Sequence, residues 1–127
     1  LNVLVVDDSR ATRAYVRGAL KAFFHCDVTE AGSGFEALRA LPRAPFELVV
    51  TDVNMPDING IELVRFIRQS EKHADVPILI ISTQSSERDQ SRVMAMGANA
   101  FLSKPFEPEA FVEVVRQLVP SAQRTKS

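Results

Sequence analysis

Short apolar runs and segments of helical period alternate five times along this 127-residue chain, and that alternation restricts the possible folds more than any other feature of the sequence. Val3 to Val6, Val28 to Glu30, Leu48 to Thr51, Ile78 to Ile81 and Ala100 to Leu102 are the strand candidates. Between them, Val16, Leu20 and Phe23 share one helical face, as do Leu63, Phe66 and Ile67, and later Phe111, Val114, Val115 and Leu118. Strands apolar on both sides belong to a parallel sheet with helices on both faces, and right-handed crossovers then leave a doubly wound α/β sandwich. The punctuation agrees: Ser9, Ser33 and Ser86 stand at N-cap positions, Pro108 suits a first helical turn, and Gly97 suits the end of the fourth helix.

A chain of this length forms one core without help from disulfides or metal, so residues 1–119 are expected to be a single domain, with 120–127 a polar tail or the start of a linker. Apolar residues make up 46% and charged residues 24%, with a net charge of -1, so no global field points to nucleic acid or to a membrane. The apolar runs are far shorter than the roughly 20 residues that span a bilayer. Cys26 is the only cysteine, which excludes a disulfide or a cysteine-based zinc site within one chain and fits a reducing cytoplasm.

In an open parallel sheet, ligands sit outside the carboxyl ends of the strands, which makes the polar residues there informative. Asp7 and Asp8 follow the first strand, Asp52 the third, Ser82 and Thr83 the fourth, and Lys104 the fifth. Three carboxylates at one edge repel one another unless a cation joins them. Mg²⁺, which takes one or two carboxylates together with waters and phosphate oxygens, suits this set better than an all-protein Ca²⁺ cage. His25 and His73 lie away from these strand ends, which argues against a transition metal. An aspartate can also act as a nucleophile and form an acyl phosphate, and Asp52 is the candidate, with Lys104 and Ser82 able to meet the oxygens of a transferring phosphoryl group.

Each residue has a plainer reading as well. An Asp-Asp-Ser run before a helix serves as a cap, residues 52–59 can be an acidic turn, Ser82 and Thr83 can lead into a helix, and Lys104 can be solvated. Arg10, Arg13 and Arg17 suit a solvated helix face, and Met94 and Met96 a thin core stripe on a polar helix. What favours a site is the joint placement at four strand ends.

The run from Val3 to Ser9, Val-Leu-Val-Val-Asp-Asp-Ser, together with Thr51-Asp52-Val53-Asn54-Met55-Pro56, Gly60, Ser82 and Lys104-Pro105-Phe106, resembles the receiver domains of two-component response regulators. The likeness runs from Val3 to Val119. It implies a flavodoxin-like, CheY-like sheet of five parallel strands in the order 2-1-3-4-5. It also implies that Asp52 is the phosphoacceptor, Asp8 a direct Mg²⁺ ligand, Asp7 a ligand mainly through water, and the backbone carbonyl of Asn54 a further ligand. Ser82 and Phe101 match the family's switch residues, Lys104 its phosphate-pairing lysine, and the Lys104-Pro105 bond one that is cis. Thr83 stands where the family usually has Ala or Gly, so Thr83, Asn54 and Gln84 are expected to modulate dephosphorylation.

The function so implied is a cytoplasmic phosphorylation switch, fed by a sensor histidine kinase or a histidine phosphotransfer protein and read out through the face of the fourth helix, fifth strand and fifth helix. Beside it stand two other classes. One is a pseudo-receiver that binds partners without phosphorylation, against which the complete set Asp7, Asp8, Asp52, Ser82 and Lys104 argues. The other is an aspartate-nucleophile phosphatase, for which the short connections leave little substrate pocket.

Overall fold

The computed structural model describes residues 1–83 and 87–121, with the backbone alone at 87–89. Each apolar run forms a strand: β1 (Asn2–Val6), β2 (Asp27–Ala31), β3 (Leu48–Asp52), β4 (Ile78–Ser82) and β5 (Ala100–Ser103). Each helical-period segment forms a helix: α1 (Arg10–Phe23), α2 (Gly34–Ala40, followed by a 3-10 turn at Leu41–Arg43), α3 (Gly60–Gln69), α4 (Glu87–Met96) and α5 (Pro108–Leu118). All strand pairs are parallel, in the order β2-β1-β3-β4-β5.

Side chains along a strand alternate between faces, and the three central strands therefore feed two cores. Val3, Val5, Leu48, Val50, Leu79 and Ile81 pack with Val16, Leu20, Phe111 and Val115, so α1 and α5 cover that face. Leu4, Val6, Val49, Ile78 and Ile80 pack with Ala37, Leu63, Val64, Ile67 and Val93, so α2, α3 and α4 cover the other. Every residue of β3 and β4 is buried, as expected for strands roofed on both sides. The edge strands differ: Asp27, Thr29 and Glu30 of β2 are exposed, and β5 is only half-buried throughout.

The helix ends follow the sequence signals. Ser9 and Ser33 accept hydrogen bonds from Thr12 N–H and Glu36 N–H, Pro108 opens α5, and Gly97 follows α4 at φ +120°. Ser86 lies outside the described residues. Asn59, unremarked in the sequence, caps α3 through Glu62 N–H. Two apolar side chains depart from expectation. Phe66 is 56% exposed because Gly60, Leu63, Val64 and Ile67 already form the buried stripe of α3, and residue 66 points well to one side of it. Met94 is exposed, Val93 fills the seam beneath α4, and Met96 is partly buried against that core.

Strand register brings one edge level. Val6 pairs with Thr51, Asp52 with Ile81, and Ser82 with Ser103, so the residues that end β1, β3, β4 and β5 emerge together.

Candidate functional site

At the end of β1 the chain turns under tight hydrogen bonding. Asp7 is fully buried; its N–H donates to the Ala31 carbonyl at 3.1 Å, its Oδ1 accepts from Ser9 N–H at 2.8 Å, and its carbonyl accepts from Arg13 Nη1 at 2.7 Å. Asp8 next to it is exposed, and its carboxylate makes no hydrogen bond with the described residues. The same Ser9 that fixes Asp7 caps α1, so a single turn both starts the helix and orients the first carboxylate.

Asp52 closes β3 and is buried to 7% exposure. Its Oδ1 accepts from Asn54 N–H at 3.2 Å, and its carbonyl accepts from Thr51 Oγ1 at 3.0 Å. The loop after it doubles back so closely that a Cβ on Gly60 would collide with the Asp52 carbonyl, while Gly60 N–H donates to Val53 O at 2.7 Å. Only glycine allows that approach. Farther along the loop, Asp57 accepts from Gly34 N–H at 3.1 Å and Phe35 N–H at 3.0 Å at the start of α2, which holds its carboxyl down at about 2.

Lys104 arrives from the end of β5, its N–H bonded to the Ser82 carbonyl at 2.8 Å and its peptide to Pro105 cis, as the resemblance implied. Its Nζ lies 2.8 Å from Asp7 Oδ2 and 3.3 Å from Asp52 Oδ2. Burial opposes its charge, but the bond to Asp7 and the fields of Asp52 and Asp7 outweigh that cost and raise its pKa. Asp52 is also raised: burial dominates, and Asp7 adds to it against the pulls of Lys104 and Asn54 N–H. The two shifts are compatible, because one ammonium gains two anionic acceptors while Asp52 shares that ammonium with Asp7.

Oxygens of Asp7, Asp8 and Asp52 lie within 4.8 Å of one another, the one such group of potential metal ligands among the described residues. All three offer carboxylate oxygen, with neither histidine nor sulfur in the group, which fits a hard cation. Three negative charges against one ammonium leave room for two positive ones.

One remaining sequence candidate stands directly beside this cluster. Ser82 is buried beside it at the end of β4, and Thr83 is exposed. Phe101 on β5 is half-buried and packs against the core under α3 and α4. Gln84 lies outside the described residues. Sequence reasoning missed two supports. Arg13 is not on a solvated face: it joins Asp7 O to Glu30, to which Arg17 also binds. Tyr15 Oη donates to the Phe106 carbonyl at 2.7 Å and sets its ring edge-on to Phe106, fixing the segment just after Lys104. Nothing in periodicity marks either residue, since both contacts cross between elements.

The response regulator receiver domain model matches residues 3–116. A chemotaxis protein CheY homolog of Campylobacter jejuni is 33% identical over 120 residues, covering 94% of this chain and 92% of its own. The structure of Vibrio cholerae CheY4 superposes with a TM-score of 0.86 at 35% identity, over 92% of this chain and 97% of that one. The receiver domain of a Pseudomonas aeruginosa sensor histidine kinase, solved with a magnesium ion coordinated in its active-site cleft, shares the fold at a TM-score of 0.85 and 23% identity, over 94% of this chain and 97% of that one. A doubly wound sheet with an acidic cluster and one lysine at its carboxyl edge defines a class of signalling domain. This chain belongs to the response regulator receiver domain family of two-component signalling and is CheY-like.

Proposed function

We propose that the protein is a phosphorylation switch that accepts a phosphoryl group on Asp52 from a phosphohistidine, carried by a sensor histidine kinase or a histidine phosphotransfer protein in the cytoplasm. The observation that carries this reading is the ammonium of Lys104 held between Asp7 and Asp52 in a cluster that still lacks positive charge. A carboxylate oxygen of Asp52 attacks phosphorus, the P–N bond breaks, and the imidazole departs neutral when its other ring nitrogen carries a proton. Lys104, already placed within reach of Asp52, pairs with an oxygen of the arriving group. Ser82 supplies a hydroxyl from the neighbouring strand end.

Asp7, Asp8, Asp52 and the backbone carbonyl of Asn54 are the groups that would hold Mg²⁺, with Asp8 a direct ligand and Asp7 acting mainly through water. When bound, the ion supplies positive charge for the cluster and the phosphoryl oxygens. Residues 1–119 form the receiver domain in this reading, and 120–127 a tail or linker. Thr83, Asn54 and Gln84 modulate the lifetime of the acyl phosphate in this reading.

For output, phosphate on Asp52 draws the Ser82 hydroxyl inward and Phe101 follows, which reshapes the face of α4, β5 and α5 toward a partner or output domain. The phosphate acts as a ligand for one of two states and shifts their populations by its differential contacts. The primary test is intact-protein mass spectrometry with acetyl phosphate and Mg²⁺. One phosphoryl group should add to the parent and none to Asp52→Ala; equal addition to both would move the acceptor elsewhere.

A further inference from the structure

Arg13 carries a contact that the chemistry above does not use. Its Nη1 donates to the main-chain carbonyl of Asp7 at 2.7 Å, and its Nε donates to Glu30 Oε1 at 3.0 Å. Glu30 in turn accepts from Arg17 Nη1 through Oε2 at 3.1 Å, so two arginines of α1 converge on one carboxylate of the edge strand β2. Asp7 N–H donates to the Ala31 carbonyl, the neighbour of Glu30. Both main-chain groups of Asp7 are therefore tied to β2, one directly and one through Arg13. The carbonyl that Arg13 holds belongs to the peptide joining Asp7 to Asp8. Because that peptide is planar, fixing its oxygen also fixes the direction in which Asp8 leaves the strand. Arg13 is well packed, at 15% side-chain exposure, beside Gly32, where any added Cβ would sit 3.3 Å from its Nη1.

We propose that Arg13 is a positioning residue for the cation site, aiming Asp8 by holding the Asp7-Asp8 peptide, with Glu30 on β2 as the fixed post to which it is tied. This rests on the reading of Asp7, Asp8 and Asp52 as the Mg²⁺ site. The assignment makes an unusual demand on sign. Removing a cation near three carboxylates should, by Coulomb's law alone, strengthen the binding of Mg²⁺. Loss of positioning should weaken it, and outer partners of metal ligands commonly contribute about 10-fold or more in affinity.

The experiment is calorimetric titration of the whole chain with MgCl₂, for the parent, Arg13→Ala, Arg13→Lys, Glu30→Gln and the Arg13→Ala/Glu30→Gln pair. Arg13→Ala should weaken Mg²⁺ about 10-fold. Arg13→Lys should recover part of that loss, Glu30→Gln should weaken binding less, and the pair should be no worse than Arg13→Ala because both act through one link. Unchanged or tighter binding in Arg13→Ala would overturn the proposal, as would additive losses in the pair. If Arg13→Ala does not fold, Glu30→Gln carries the test, and parent-like affinity in it overturns the link. The Asp8 amide signal in magnesium-free NMR spectra separates the two readings. A parent that binds no Mg²⁺ ends the cation-site reading, while a shifted Asp8 amide in Arg13→Ala still shows whether Arg13 aims that peptide.

Discussion

Polar side chains gather at both ends of the strands, and the two gatherings are built on opposite terms. At the carboxyl ends, Asp7 and Asp52 share the ammonium of Lys104, and Asp8 beside them has no hydrogen-bond partner among the described residues. At the amino ends, Arg68 is saturated. Its Nη1 donates to the carbonyls of Ala74 at 3.0 Å and Val76 at 2.7 Å, its Nε and Nη2 donate to Gly97 O at 3.0 and 2.7 Å, and Nη2 also meets Asn99 Oδ1 at 2.8 Å. Asn99 Oδ1 accepts from Ile78 N–H as well, so the guanidinium fastens the end of α3 to the starts of β4 and β5. Charge left over at one edge is what a ligand would neutralise; donors fully matched to carbonyls are scaffold. Substitutions should therefore hurt different properties at the two edges.

The largest separation is expected from Arg68→Ala. The change removes a charged donor and leaves the Ala74, Val76 and Gly97 carbonyls without their guanidinium partner, a loss of about 3 kcal/mol in unfolding free energy. Urea denaturation should register that loss, while Mg²⁺ affinity measured on the folded fraction stays within about twofold of the parent, since no contact among the described residues links Arg68 to the carboxyl edge. A fall in Mg²⁺ affinity would break the division between scaffold and site.

The sheet and the acidic edge were legible in the sequence because both depend on local order. Apolar runs of three or four residues fix the central strands, and polar residues immediately after them must appear at one edge when the strands are parallel. What sequence alone did not show are the links between elements. Arg13 reads as one more basic residue on a helix until Glu30 and the Asp7 carbonyl are seen beside it, and Arg68 reads as an ordinary end-of-helix cation. Phe66 looked like core because its spacing from Leu63 is helical, yet Val64 completes the stripe and leaves Phe66 outside. Periodicity reports a face, but it does not report how wide that face must be.

A pH dependence should also belong to the amino edge. His73 is 2% exposed, and its Nε2 accepts from Phe46 N–H at 3.1 Å, so the neutral ring carries its proton on Nδ1. Protonation would set an N–H against the Phe46 N–H. Burial lowers the pKa of His73 below its ordinary 6.5, with Lys72 adding to the effect and the Ala44 carbonyl opposing it. A folded value below the unfolded one means that the unfolded chain takes up the proton first. The stability His73 contributes is thus complete above about 6.5 and is lost as pH falls through that value toward the folded pKa. Urea midpoints at pH 7.5 and 5.5 should differ in the parent and differ less in His73→Phe, a smaller change than Arg68→Ala produces. Equal pH slopes would remove His73 from the account.

The smallest effect expected is a gain, at the other edge. Asp8 is exposed, lacks a hydrogen bond from the described residues, and sits with an oxygen within 4.8 Å of oxygens of Asp7 and Asp52. Without a divalent cation its charge faces two buried carboxylates that already share the ammonium of Lys104. Asp8→Asn keeps the size and removes the charge, so in the absence of Mg²⁺ the variant should be more stable than the parent, by up to about 0.5 kcal/mol at an exposed position. Added Mg²⁺ should reverse the order, since the parent gains binding free energy that the variant has largely given up. Urea midpoints with EDTA and with saturating Mg²⁺ measure both halves of this crossing. A variant less stable than the parent under EDTA would mean that Asp8 supports the turn it stands in, and the contrast between an edge built for a ligand and an edge built for the fold would then need redrawing at that residue.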